Sequence, residues 1–334
     1  MKAVFFDIKP FEKEYLEKHC DFELEKIFFP HSINSDTKLD EKTLGCEILS
    51  VFITSDLSKK VLEKFKNLKF IILRSVGFSH VDISYTKEKN INVFNAPHYG
   101  DSSIAEYVFA LLLNVSRKII TASDDVKNQT IDDNKYQGIE LYNKTIGVIG
   151  TGAIGKNVIR IAKAFNMNVI CFDKFKSEGY NYVSFDDLLK NSDIISINCP
   201  LNAETLHLLN ENAFNKMKKG VIIINTARGE IIDTYCLYKA LCEKIVSFAA
   251  MDVMECEDVL YENKENKIDI NIIKEKCFKN HYVAYKLLNM KNVLITPHIA
   301  YNTKEAATNI LKITVENLKS SIKFTSGAKN LILL

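Results

Sequence analysis

Short apolar runs alternate with amphipathic stretches along the first hundred residues. Residues 3–7, 48–54, 70–75 and 91–94 read as strands, and residues 11–19, 58–67 and 81–89 as helices. Such alternation implies an α/β domain, a parallel sheet with helices on both faces. Residues 95–100, with Pro97 and Gly100, interrupt the pattern and read as a crossing into a second domain. A long helix is expected from about 104 to 121, opened by a capping-box pattern at Ser103 and Glu106. One face carries Ile104, Val108, Leu111, Leu112, Val115 and Ile119. Residues 109–113 are apolar nearly all round, which predicts burial between domains or subunits. Residues 123–141 are polar and irregular.

The alternation resumes at residue 145. Strands are expected at 145–149, 168–172, 194–199, 221–225, 248–252 and 293–296, with a helix at 153–165. A last helix at 304–322 would return to the first domain. The stretch 258–289 is rich in Lys, Asn and Glu and reads as an insertion loop with a helix around 283–288. There is no internal repeat of fixed period and no low-complexity tail.

Composition narrows the class. A chain of 334 residues suits two domains, and 47% hydrophobic residues suffice for their cores. A net charge of +2 gives no push toward nucleic acid or an acidic surface. No apolar run reaches the roughly 18 residues of a membrane span. Residues 1–7 are too short a stretch for a signal peptide and read as a strand. The eight cysteines are scattered without a C-x-x-C pair, and the seven histidines show no ligand spacing. Free thiols in a reducing, cytoplasmic setting are expected, with no disulfide frame and no metal. Lysines vastly outnumber arginines, so Arg74, Arg117, Arg160 and Arg228 are each candidates for a bidentate role.

The first chemical signal is Gly150-Thr151-Gly152-Ala153-Ile154-Gly155, a G-x-G-x-x-G between an expected strand and an expected helix. Asp173 ends the next strand, at about the 20-residue spacing of a dinucleotide site. Gly150 allows the tight turn, Gly152 lets backbone approach a pyrophosphate, and Gly155 lets helix and strand pack. The pyrophosphate then lies on the helix N-terminus, and Asp173 accepts from the ribose hydroxyls. Two competing readings are weaker. A bare glycine turn leaves the flanking strand, helix and acid unexplained. A nucleoside-triphosphate loop, spelled by Gly150, Gly155 and Lys156, needs a Ser or Thr where Asn157 stands.

Three strand ends in the second domain carry the remaining candidates. Residues 221–224 run into Arg228, residues 248–251 into Asp252, Glu255 and Glu257, and residues 293–296 into Pro297 and His298. Ligands bind at the carboxyl ends of strands in open parallel sheets. Singly, each residue reads as a surface cation, a solvated acid or a loop filler. Together, beside a dinucleotide site, they fit hydride transfer to a 2-oxo acid. Nicotinamide supplies the hydride. His298 gives the carbonyl oxygen its proton, Glu257 stabilises the charged imidazole, and Arg228 clamps the substrate carboxylate and polarises the carbonyl.

These residues belong to a wider pattern. It includes Arg74-Ser75-Val76-Gly77-Phe78, Tyr99 with Ser103-Ile104-Ala105-Glu106, and residues 145–155. It continues through Cys199-Pro200-Leu201, His207, residues 225–229, residues 250–253 and Thr296-Pro297-His298. Over nearly its whole length the chain resembles the D-isomer specific 2-hydroxyacid dehydrogenase family. Glu255-Cys256-Glu257-Asp258, the long segment before Thr296 and His298-Ile299-Ala300-Tyr301 look most like the D-lactate dehydrogenase branch.

The resemblance implies two doubly wound parallel-sheet domains. A Rossmann-like NAD-binding domain, 100–298, is inserted into a flavodoxin-like substrate-binding domain, 1–99 and 299–334. It implies NAD as cofactor, pyruvate reduced to D-lactate, and a homodimer with the helix after Ser103 in its interface. Arg228, Glu257 and His298 match the catalytic set. Val76 and Gly77 match amides that hold the substrate carboxylate, and Phe52, Tyr99 and Tyr301 fall at pocket positions. Besides the glycines, Ala153, Ile154, Asp173, Cys199, Pro200 and Thr205 match cofactor contacts, as do Thr226, Ala227 and Asp252. Some positions depart from the pattern. Ser79 or His80 stands where the family often has Asp, and residues 97–101 differ from typical lactobacillar lactate enzymes. Hydroxypyruvate or a branched 2-ketoacid is therefore an alternative substrate. A phosphoglycerate dehydrogenase fits less well, because only 36 residues follow His298. An NADH-sensing, corepressor-like interaction protein is the alternative outside catalysis.

Overall fold

A computed structural model describes residues 1–255, 257, 275–323 and 329–332, with 275–281 described by backbone alone. The chain forms two compact units, Met1–Gly100 with Thr303–Leu334, and Asp101–Asn302.

In the first unit, β1 (Lys2–Phe5), β2 (Glu25–Phe28), β3 (Ile48–Val51), β4 (Phe70–Leu73) and β5 (Asn92–Phe94) form one sheet in the order β2-β1-β3-β4-β5. Every pairing is parallel. The apolar runs exist because both faces are covered. Ala3, Phe5, Ile48, Phe70, Ile72 and Phe94 face one core with Leu311, Val315 and Leu318 of the last helix, Lys304–Ile322. Their alternates Val4, Leu49, Val51, Ile71, Leu73 and Val93 face the other. Edge strand β2 escapes sequence reading because none of its residues is fully buried. The expected helix at 58–67 shrinks to Lys59–Leu62.

In the second unit, β6 (Thr145–Ile149), β7 (Asn168–Phe172), β8 (Ile194–Ile197), β9 (Val221–Asn225), β10 (Val246–Met251) and β11 (Val293–Ile295) order as β11-β10-β9-β8-β6-β7. All pairings are again parallel. A parallel bridge from Cys171 to Tyr182 adds a rudimentary strand outside β7. Counting it, the order is that of the doubly wound dinucleotide-binding sheet. The chain reverses direction across the sheet between β6 and β8, which leaves a crevice at their carboxyl ends.

Three expectations change. The long helix starts at Asp101, so Ser103 lies in its first turn and not before it. It stops at Arg117, because Lys118 adopts a left-handed conformation with φ of +54°. A separate helix, Ile119–Lys127, follows and carries Ile119 into solvent. The all-round apolar stretch at 109–113 is buried within its own unit, where Phe109, Leu111 and Leu112 pack with Val148, Val158 and Ile224. Finally, the helix expected around 283–288 within the insertion loop begins earlier, at Glu275, and is a core helix, whose Ala284 and Leu287 pack with Leu237 and Leu241. The rest of that loop, 258–274, lies outside the described residues. Among the described residues no helix is long and apolar enough to cross a membrane.

Candidate active site

The glycine turn closes β6. Gly150 has φ of +91°, and a Cβ there would lie 2.7 Å from the backbone of Asn198 and Cys199 at the end of β8. A Cβ on Gly155 would lie 2.0 Å from the Gly150 carbonyl oxygen, so the helix Ala153–Ala164 packs directly on the turn. Gly152 is the N-cap of that helix, and a Cβ there would meet nothing within 4 Å. Open space above a helix N-terminus fits an anion. Across it, Asp173 accepts at Oδ2 from the Thr151 amide (2.6 Å) and hydroxyl (3.0 Å), and at Oδ1 from the Phe175 amide (2.8 Å). Burial opposes its charge, but these hydrogen bonds outweigh it and hold the carboxyl below the usual carboxylate range. Lys174, beside it in sequence, is drawn away to Glu204 at 2.7 Å. The set fits a pyrophosphate and a ribose.

Beyond β8, Thr205 donates to the Pro200 carbonyl at 2.7 Å and accepts from the Asn202 amide at 2.8 Å, closing the loop that begins at Cys199. Burial pushes the Cys199 thiol up to about 11, which keeps it neutral.

Arg228 follows β9 and is half-buried. Its loop is shaped by Asn225, which is fully buried. Asn225 accepts from the Ala227 amide at 3.0 Å and donates to the Arg228 carbonyl at 2.9 Å. Thr226 between them is buried. The Arg228 guanidinium donates to the Ala227 carbonyl at 2.6 Å, which leaves most of its donors for other partners. The next residue is Gly229, where a Cβ would lie 2.0 Å from the Met254 carbonyl carbon. The Arg228 loop and the loop after β10 are therefore packed backbone on backbone.

The third strand end completes the set. His298 Nδ1 donates to Glu257 Oε1 at 2.6 Å, and the other Glu257 oxygen accepts from the Met254 amide at 3.1 Å. His298 has φ of +53°, a conformation rare for a non-glycine residue. Asp252 holds it there. Fully buried, Asp252 accepts at Oδ1 from the Thr296 hydroxyl (2.5 Å) and Ile299 amide (3.0 Å), and at Oδ2 from the Ala300 amide (2.7 Å). Its carbonyl accepts from the His298 amide at 3.0 Å. Burial pushes the Asp252 carboxyl up, against those hydrogen bonds. Tyr301 stands edge-on to the His298 ring at 6.4 Å between centroids. Sequence reading found Asp252 as a cofactor contact but missed this turn-building role, which only the loop geometry reveals.

In the first unit, the turn after β4 exposes Val76. Asn95 donates to the Val76 carbonyl at 2.9 Å and Ser75 to the Gly77 carbonyl at 2.7 Å. These two bonds fix the turn that carries the Val76 and Gly77 amides. Tyr99 is buried, and its carbonyl accepts from Asn309 at 3.4 Å. The Phe52 amide donates to Asp7 at 3.3 Å. Arg74, a candidate for ligand binding, is instead fully buried and pins the Phe6 and Asp7 carbonyls at 2.5 and 3.0 Å. Among the described residues no group of three His, Cys, Asp or Glu could hold a metal ion.

A doubly wound sheet, a glycine turn under open space and a histidine–carboxylate pair whose carboxylate loop packs on the Arg228 loop fit a dinucleotide-dependent oxidoreductase. Residues 109–300 match the model of the D-isomer specific 2-hydroxyacid dehydrogenase NAD-binding domain. A 2-hydroxyacid dehydrogenase homolog of Haemophilus influenzae is 36% identical over 100% of this chain and 99% of its own. D-lactate dehydrogenase of Escherichia coli is 37% identical over 96% of both. The crystal structure of D-lactate dehydrogenase from Aquifex aeolicus, complexed with NAD and lactic acid, superposes with a TM-score of 0.85. It is 35% identical, and the match covers 99% of this chain and 98% of that one. The chain belongs to the D-isomer specific 2-hydroxyacid dehydrogenase family and is an NAD-dependent oxidoreductase.

Proposed function

We propose that this protein reduces pyruvate to D-lactate, with other small 2-oxo acids as slower substrates. The observation that carries the reading is the 2.6 Å hydrogen bond from His298 to Glu257. It takes Nδ1 and leaves Nε2 to exchange a proton with a substrate oxygen. NADH supplies the hydride that adds to the carbonyl carbon. His298 delivers the proton that the developing alkoxide needs. Glu257 stabilises the charged ring before that transfer. Arg228 pairs with the substrate carboxylate and draws electron density from the carbonyl.

Asp101–Asn302 takes the cofactor in this reading, through Gly150, Gly152, Ala153, Ile154, Gly155 and Asp173, with Cys199, Pro200, Thr205, Thr226, Ala227 and Asp252. Met1–Gly100 with Thr303–Leu334 takes the acid, through the Val76 and Gly77 amides and the side chains of Phe52 and Tyr99. Tyr301 shapes the pocket beside His298. The exposed Ile119, Ile120 and Val126 support a homodimer that covers the helix Ile119–Lys127. The free thiols among the described cysteines support a cytoplasmic setting.

The test is a panel of 2-oxo acids with NADH, followed by the loss of reduced-nicotinamide absorbance. Pyruvate should give the highest kcat/KM. A higher value for hydroxypyruvate or a branched 2-ketoacid would reassign the substrate, and tight NADH binding without turnover would sink the enzymatic reading.

A further inference from the structure

Glu255 is 6% exposed and lies two residues before Glu257. A carboxylate so buried is costly unless its oxygens are taken. Here both are. Oε2 accepts from the Thr234 amide at 3.0 Å and the Thr234 hydroxyl at 2.5 Å. Oε1 accepts from His207 Nε2 at 2.7 Å. The two partner residues follow two different strands, β8 and β9, and Glu255 itself follows a third, β10.

His207 belongs to the loop after β8, two residues past Thr205. It has φ of +48°, and its amide donates to the Glu230 carbonyl at 2.8 Å. Its other ring nitrogen lies 3.8 Å from Asp233. Thr234 opens the helix Thr234–Cys242, which follows the Arg228 loop. Through Glu255 itself the loop after β10 joins them, pressed on Gly229. One buried carboxylate thus ties together the loop of Cys199 to Thr205, the loop of Arg228 and the loop of Glu257.

We infer that His207 and Glu255 form a positioning pair that keeps the cofactor-side loop in register with Arg228 and Glu257. The inference rests on the proposed roles of those loops. It predicts that cofactor affinity and turnover depend together on a bond that touches neither ligand. A merely structural ion pair would move stability alone.

The experiment compares wild type, His207→Ala, His207→Gln, Glu255→Gln and the double variant His207→Ala with Glu255→Gln. NADH affinity is read by fluorescence titration, turnover by the 2-oxo acid assay, and folding by thermal unfolding. The His207 side chain is 40% exposed, so its variants should fold. His207→Ala should weaken NADH binding about tenfold, a loss of ~1.4 kcal/mol, and lower kcat as well. His207→Gln, whose amide can still donate to Glu255, should recover much of both. The double variant should be no worse than the poorer single variant, because neighbours sharing one bond are not additive. Lys218→Met, which breaks the Lys218–Asp193 pair at 2.6 Å at the amino end of β8 in the same unit, should leave NADH affinity unchanged. The pair is only structural if His207→Ala lowers the melting temperature but leaves NADH affinity and kcat within about a factor of two, well below that tenfold step. Strictly additive losses in the double variant would also overturn it. The titration reads the pair even if wild type turns over no 2-oxo acid, so failure of the proposed reaction is told apart from failure of this inference.

Discussion

His298 Nδ1 and Glu257 Oε1 are 2.6 Å apart, across 41 residues of sequence. The bond orients the ring and supplies a negative partner for its charged form. His298→Ala should therefore cost on the order of 10²- to 10⁴-fold in kcat/KM for pyruvate, the usual worth of a positioned acid. Glu257→Gln keeps the shape but not the charge. It should cost about 10- to 100-fold, in line with ~1.5–3 kcal/mol for a charged hydrogen bond. Steady-state kinetics on both variants check this, and activity in Glu257→Gln equal to wild type would remove Glu257 from the reaction.

Gly229→Ala tests the packing of the Arg228 loop against the loop after β10. The added methyl would sit 2.0 Å from the Met254 carbonyl carbon, where backbone cannot yield cheaply. Overpacking of this kind costs about 1–3 kcal/mol. Both Arg228 and Glu257 should shift, so kcat/KM should fall together with the urea midpoint. A variant with full activity and unchanged midpoint would mean that the two loops separate easily.

On the proposed ribose-binding role of Asp173, cofactor choice follows from its charge. A 2′-phosphate beside this carboxylate meets a like charge, and at about 4 Å the repulsion is a few kcal/mol for an effective dielectric near 20. Lys174 cannot soften it while paired with Glu204. NADH should exceed NADPH in kcat/KM by about 100-fold or more on that figure, and Asp173→Ser should narrow the gap. Equal use of both cofactors by wild type would defeat the assignment.

Two carboxyls, the half-buried Asp173 and the fully buried Asp252, should respond to acid in opposite directions. Asp173 has its pKa lowered, with burial outweighed by hydrogen bonds, so its stabilisation is present above the unfolded value near ~3.9 and is lost as pH falls through the folded value. Asp252 has its pKa raised, chiefly by burial, so its contribution is fully present below ~3.9 and is lost as pH rises through the folded value. Urea unfolding of wild type, Asp173→Asn and Asp252→Asn from neutral pH to below ~3.9 separates them. The advantage of wild type over Asp173→Asn should hold on moderate acidification and shrink below ~3.9. Its advantage over Asp252→Asn should grow as pH falls, beginning above that point. Parallel pH dependence in all three proteins would contradict both assignments.

Local chemistry made much of this protein legible in its sequence. The glycines at 150, 152 and 155 and the acid at 173 need no distant partner to be recognised, because a strand, a tight turn and a helix follow one another within a few residues. Most strands were equally visible, since a strand covered on both faces is apolar at every position. The break at Lys118 was not, because a single left-handed residue leaves no mark on the hydrophobic pattern. The helix at 283–288 is legible from its apolar pattern, but its first two turns, from Glu275, are not, because the Lys-, Asn- and Glu-rich segment around them reads as loop. The two neighbouring acids are a different case. Glu255 and Glu257 look alike as residues in one short segment, with the same charge and the same reach. Only the folded backbone sends Glu257 to His298 and Glu255 to His207 and Thr234. Which carboxylate meets which partner depends on where β8, β9 and β11 deliver their loops, and that is a property of the sheet, not of the residues.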